Sequence, residues 1–95
     1  MRDYELIVII SPEVLEEELA SRIDKVTQLI TARGGAITEV TQWGKRKLAH
    51  PIRNFMEGNY VQARFKLEPQ LTTELEAKLG LSEEVLRHLL VRLGD

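Results

Sequence analysis

Four basic side chains fall within ten residues at Gly44–Arg53, GKRKLAHPIR, with no acid among them. Lysine and arginine at that density suit contact with phosphate and sugar, which positions a nucleic acid without reading its bases. The same chemistry fits a solvated strand whose lysines discourage edge-to-edge pairing, a reading that applies to Lys45 and Lys47. On composition alone the two readings stand level. Other reactive groups give little. There is no cysteine, so thiol nucleophiles, thiolate metal sites and disulfides are excluded. His50 and His88 lie 38 residues apart, without metal-ligand spacing, and read as strand residues. Glu16-Glu17-Glu18 point in different directions on a helix and read as a solvated face. Ser11 and Ser82 read as caps, with no base placed beside them by any motif. Gly34-Gly35 lacks the lysine and hydroxyl of a phosphate-cradling loop. The Ile10-Ser11-Pro12 junction is too short, and has no glycine, for the anion loop of a small phosphatase. These residues predict no catalysis, metal or cofactor.

The total charge is slightly acidic, 13 Lys+Arg against 15 Asp+Glu, which argues against a non-specific nucleic-acid binder. The charge is unevenly spread. Ser11–Thr31 holds five acids and two bases, a balance of −3, whereas Gly44–Lys66 holds six bases and one acid, a balance of +5. Ninety-five residues with 43% apolar composition predict one domain, 1–95, with a single modest core. The longest apolar run, Leu6–Ile10, is five residues, too short to span a bilayer. With no cysteine and no signal-like start, a soluble cytoplasmic protein is expected, with no membrane contact.

The elements that would position the basic run follow from periodicity. Residues 2–10, RDYELIVII, predict a central strand, apolar on both faces beyond Leu6. Ser11-Pro12-Glu13 predicts a helix start, with Ser11 as cap and Pro12 in the first helical position. Leu15, Leu19, Ile23, Val26 and Ile30 form its apolar stripe, and Gly34-Gly35 ends it. Ala36–Ile52 predicts a long extended segment. Ile37 and Val40 break its alternation and Gly44 lies within it, so a bulge or bend is expected. Asn54–Gly58 predicts a loop. Asn59–Leu67 alternates cleanly, with Val61, Ala63, Phe65 and Leu67 inward and Tyr60, Gln62, Arg64 and Lys66 outward. Pro69 opens a second helix through Leu71, Leu75 and Leu79, closed by Gly80, and Val85–Leu93 is a last strand.

Strand, helix, strand, strand, helix, strand is the ferredoxin-like split βαβ arrangement: α+β, with a four-stranded antiparallel sheet and both helices on one face. The other face must then be polar or covered by a partner. RNA-recognition modules on this scaffold stack bases on aromatics of the third strand. Here Tyr60 and Phe65 differ in parity, so only Tyr60 can reach the open face, and that platform is missing. Phosphate and sugar contact is what remains.

Three stretches carry a family resemblance along essentially the whole length. Met1-Arg2-Asp3-Tyr4-Glu5 resembles the opening strand of the sixth protein of the bacterial small ribosomal subunit. Gly44–Arg53 is similar to that family's signature, with His50 where the signature has tyrosine. Glu57-Gly58-Asn59-Tyr60 resembles the entry to its third strand. Some members carry an acidic C-terminal tail; this sequence ends at Asp95, so the tail's properties are not carried over.

The resemblance implies a structural, non-enzymatic constituent of the small subunit. It implies binding to the central domain of 16S ribosomal RNA as a heterodimer with the eighteenth small-subunit protein, with no small-molecule substrate. RNA contact is thereby expected at Arg2, Tyr4, Lys45, Arg46, Lys47 and Arg53, with Arg92 on the last strand a lesser candidate. Arg46 shares parity with Leu48 and Ile52, so it is the least expected of its run to be an exposed contact. Tyr4 shares parity with Leu6 and Val8, which predicts a mostly buried ring. The protein partner is expected on the uncovered face, at Ile7, Ile9, Tyr60 and Arg64. The alternative is a ferredoxin-like regulatory module that dimerises and binds a small metabolite.

Overall fold

The chain runs β1 (Arg2–Ile10), α1 (Glu16–Thr31), β2 (Ala36–Ile52), β3 (Phe55–Leu67), a 3₁₀ turn (Pro69–Leu71), α2 (Thr72–Leu81) and β4 (Val85–Leu93). This is a computed structural model, and it describes residues 1–94. The strands form one antiparallel sheet in the order β2-β3-β1-β4, the ferredoxin-like topology that the element order predicts.

Alternation along the two central strands decides which face holds the core. Tyr4, Leu6, Val8 and Ile10 of β1 pair with Phe65, Ala63, Val61 and Asn59 of β3. Their apolar members pack with Ile23, Val26 and Ile30 of α1 and Leu75 and Leu79 of α2. Leu6, Ile30, Leu67, Leu75 and Leu79 have no exposed surface. Each such side chain contributes about 1.5–3 kcal/mol by leaving water, so this layer dominates the fold's stability. α1 lies over β2 and β3, and α2 over β4.

Two boundaries differ from the periodicity reading. α1 begins at Glu16, five residues after Ser11, and no side chain caps it. Ser11–Leu15 instead forms a turn in which the Glu13 N–H donates to Ser11 Oγ at 3.1 Å and the Val14 N–H to the Ser11 carbonyl at 3.2 Å. The cause is tertiary: the Ser11 N–H is taken by the Glu84 carbonyl at 2.8 Å and the Asn59 amide donates to the Ser11 carbonyl at 3.3 Å. Leu15 consequently falls outside the helix and is exposed. Glu16, Glu17 and Glu18 occupy the first helical turn, where negative charge complements the helix dipole. In addition, α2 continues through Gly80 to Leu81.

The expected loop at Asn54–Gly58 is mostly strand. β3 already begins at Phe55, and only Arg53 and Asn54 turn the chain, both with positive φ (50° and 69°). That is the backbone of a tight two-residue hairpin turn. β1 ends opposite Asn59, so β2 and β3 run on beyond the sheet as a two-stranded arm from Lys45/Asn59 to Ile52/Phe55.

Candidate nucleic-acid interface

The sequence-predicted RNA residues separate into two places. Lys45, Arg46, Lys47 and Arg53 belong to the arm, while Arg2, Tyr4 and Arg92 lie at the opposite end of the sheet. Nine residues of β1, at about 3.3 Å each, separate the two ends. Tyr4 is 6% exposed and stacks on Phe65 at 5.8 Å, so its ring serves the core. Arg2 and Arg92 are exposed on the helix-bearing side of the sheet.

On the arm, the basic run divides by strand register. Lys45 and Lys47 pair with Asn59 and Glu57 and project to the helix side; Arg46 pairs with Gly58 and projects to the open face. Lys45 lines a hollow shared with Glu16, at the acidic start of α1. Neither lysine makes an ion pair among the described residues. Arg46 is exposed, contrary to its expected place with Leu48 and Ile52. Parity fails there because β2 takes five steps from Lys47 to Ile52 while β3 takes two from Glu57 to Phe55. The surplus residues lie between Lys47 and Ile52, and His50 among them is exposed. Arg53 Nη1 donates to the Glu83 carbonyl at 3.0 Å, which holds the arm's tip against the start of β4.

The open face is graded from end to end. At the end distant from the arm, Lys66 and Asp3 stand 3.9 Å apart and Arg64 and Glu5 3.6 Å apart, and the Gln62 amide donates to Glu5 at 2.8 Å. The cations there are matched. Towards the arm the face becomes apolar: Ile7 opposes Leu89, and Ile9 stands between Tyr60 and Arg87. Ile7, Ile9, Tyr60, Arg87 and Leu89 line a shallow hollow of about 180 Å³. Of the four expected partner residues, Arg64 is exposed, Ile7 and Tyr60 are half-buried, and Ile9 is 8% exposed.

No motif in the sequence marks Trp43. It lies at a register shift between Gln42 and Gly44, where Gly44 takes φ 84°, and its indole stacks on Tyr60 at 6.3 Å with 5° between the planes. The guanidinium of Arg46 stands 5.7 Å from the indole centroid. The irregular alternation and Gly44 signal a bulge in the sequence, but not which ring it redirects.

A sheet whose helix-free face is half charge-paired and half apolar, with a basic arm at one end, agrees with the resemblance noted in the sequence. The model of the family described as ribosomal protein S6 matches residues 3–92. The chain belongs to the ribosomal protein S6 family. It is similar to the small ribosomal subunit protein bS6 of Moorella thermoacetica, with 43% identity over all of this chain and 97% of that one. The bS6 protein of Caldanaerobacter subterraneus subsp. tengcongensis is also 43% identical, over the full length of both. The crystal structure of 30S ribosomal protein S6 from Thermotoga maritima superposes with a TM-score of 0.90 at 36% identity, covering 96% of this chain and 86% of that one. As a member of the S6 family, the protein is a structural component of the small ribosomal subunit and not an enzyme. No helix among the described residues is long and apolar enough to cross a membrane.

Proposed function

We propose that the protein binds the central domain of 16S ribosomal RNA through its basic arm, and does so as a heterodimer with the eighteenth small-subunit protein. The supporting observation is the contrast in charge matching. Arg64 and Lys66 make ion pairs with acids on the sheet, whereas Lys45 and Lys47 on the arm make none among the described residues, although Glu57 lies across the strands from Lys47. Unmatched lysines on a protruding hairpin can release counterions from a phosphate backbone at little cost to the fold. Lys45, Lys47 and Arg53 are the main phosphate contacts, Arg46 a contact from the opposite face, and Arg2 and Arg92 a second anchor at the far end. Tyr4 supports Arg2 through the strand and does not itself reach RNA.

With a formal net charge of −2, the chain has little electrostatic attraction of its own for RNA. A basic partner seated on Ile7, Ile9, Tyr60 and Arg64 supplies the missing positive charge and covers the apolar half of the open face. Filter binding of a central-domain RNA fragment at about physiological salt tests this. Affinity rises at least tenfold when the partner is present, and Lys45→Ala and Lys47→Ala each lower the salt slope by about 1. Equal affinity with and without the partner, or unchanged slopes, would refute the reading.

A further inference from the structure

Trp43 is the one tryptophan of the chain, and 39% of it is open to solvent. Tyr60 lies parallel to it, and Arg46 is tied to the same residue by an Nε–H donated to the Trp43 carbonyl at 3.3 Å. Arg46 makes no ion pair among the described residues; of the open face's acids, Asp3 and Glu5 are matched by Lys66 and Arg64 at the other end, and Glu39 also lies there, across from Arg64. On the far side of Tyr60 the same row continues through Ile9 to Arg87, which has no ion pair there either. An exposed aromatic step is thus flanked by two unmatched cations and adjoins an arm whose sole acid is Glu57.

We infer that this step, Tyr60–Trp43–Arg46, holds an unpaired base of the ribosomal RNA; the inference rests on the RNA-binding reading above and adds how the arm grips its ligand. A nucleotide suits the step: its flat base extends the aromatic stack and its phosphate meets Arg46. An apolar protein side chain would cover the indole but leave Arg46 unmatched. When the base arrives, Arg46 turns from the indole to the phosphate. It gives up an exposed cation–π contact for a charge-assisted hydrogen bond, about twice as strong as a neutral one.

The tryptophan is its own reporter. A central-domain RNA fragment is titrated into the chain at low salt, and into its complex with the eighteenth protein, while tryptophan emission is followed. The Trp43→Phe chain gives the background to subtract. Emission is quenched in step with RNA binding. Trp43→Ala binds RNA about tenfold more weakly, roughly 1.4 kcal/mol, with the salt slope unchanged, whereas Trp43→Phe stays within about threefold of the parent. RNA binding without quenching, or a Trp43→Ala chain that binds as the parent does, overturns the stacking site and leaves the phosphate-binding arm standing. Quenching by the partner protein alone, with no further change on adding RNA, makes the step a protein seat and also overturns it. Absence of RNA binding in every titration overturns the RNA reading itself.

Discussion

Gly58 shows how closely one residue can couple the arm to the sheet. It lies opposite Arg46, one residue beyond the last β1–β3 pair at Asn59, and it is buried. A β-carbon there would run into Cγ2 of Ile9, a β-branched side chain with little freedom to move aside. Ile9 is itself held between Tyr60 and Arg87, so the displacement would spread into the row that carries Trp43. Gly58→Ala should therefore cost about 1–3 kcal/mol, the usual range for overpacking, read from the urea unfolding midpoint. Gly80→Ala is the opposite case. Gly80 lies within α2 with open space around its missing β-carbon. Replacing it should stabilise the protein by about 0.5–1 kcal/mol, because alanine is the better helix former.

The arm is the element whose stability should stand apart from the rest. From Lys47 to Ile52 β2 has one neighbouring strand, its register is broken, and most of its residues are exposed. β1, in contrast, is paired on both sides and buried along its core-facing positions. Amide exchange over residues 47–56 should occur by local opening, several kcal/mol below the global free energy, while amides of Leu6, Val8 and Ala63 exchange only through global unfolding. Equal protection of arm and centre would mean that the Arg53–Glu83 contact closes the tip as firmly as a third strand would. The same exposure explains why the arm was hard to read. A hairpin with water on both faces has no reason to alternate, so Asn54–Gly58 resembles a loop, whereas β3 from Asn59 onward has one buried face and declares itself. The start of α1 was obscured differently. Ser11-Pro12 is equally suited to a helix start and to a turn, and the choice is made by hydrogen bonds to Glu84 and Asn59, residues far away in sequence.

Across the whole molecule, the sheet order, the core face and the existence of a helix-free face all followed from alternation and element order, because burial imposes a period on sequence. The grading of that open face did not. Which cations are matched depends on cross-strand register, and two register shifts in β2 decide where Trp43 and Arg46 point. Burial also changes which residue best tests the proposed partner seat. Ile9 is the central apolar residue of the hollow, but at 8% exposed it supports the fold beneath Tyr60, and a charge there would damage the monomer before any partner met it. Leu89 lies beside it on the edge strand, opposite Ile7, with 56% of its surface exposed. Leu89→Glu removes little buried area, so its unfolding free energy should stay within about 0.5 kcal/mol of the parent. Placed in the middle of an apolar contact, the same carboxylate would have to be desolvated, which should weaken heterodimer formation at least tenfold by calorimetric titration. A Leu89→Glu chain that is equally stable and binds the partner unchanged would move the seat off this face.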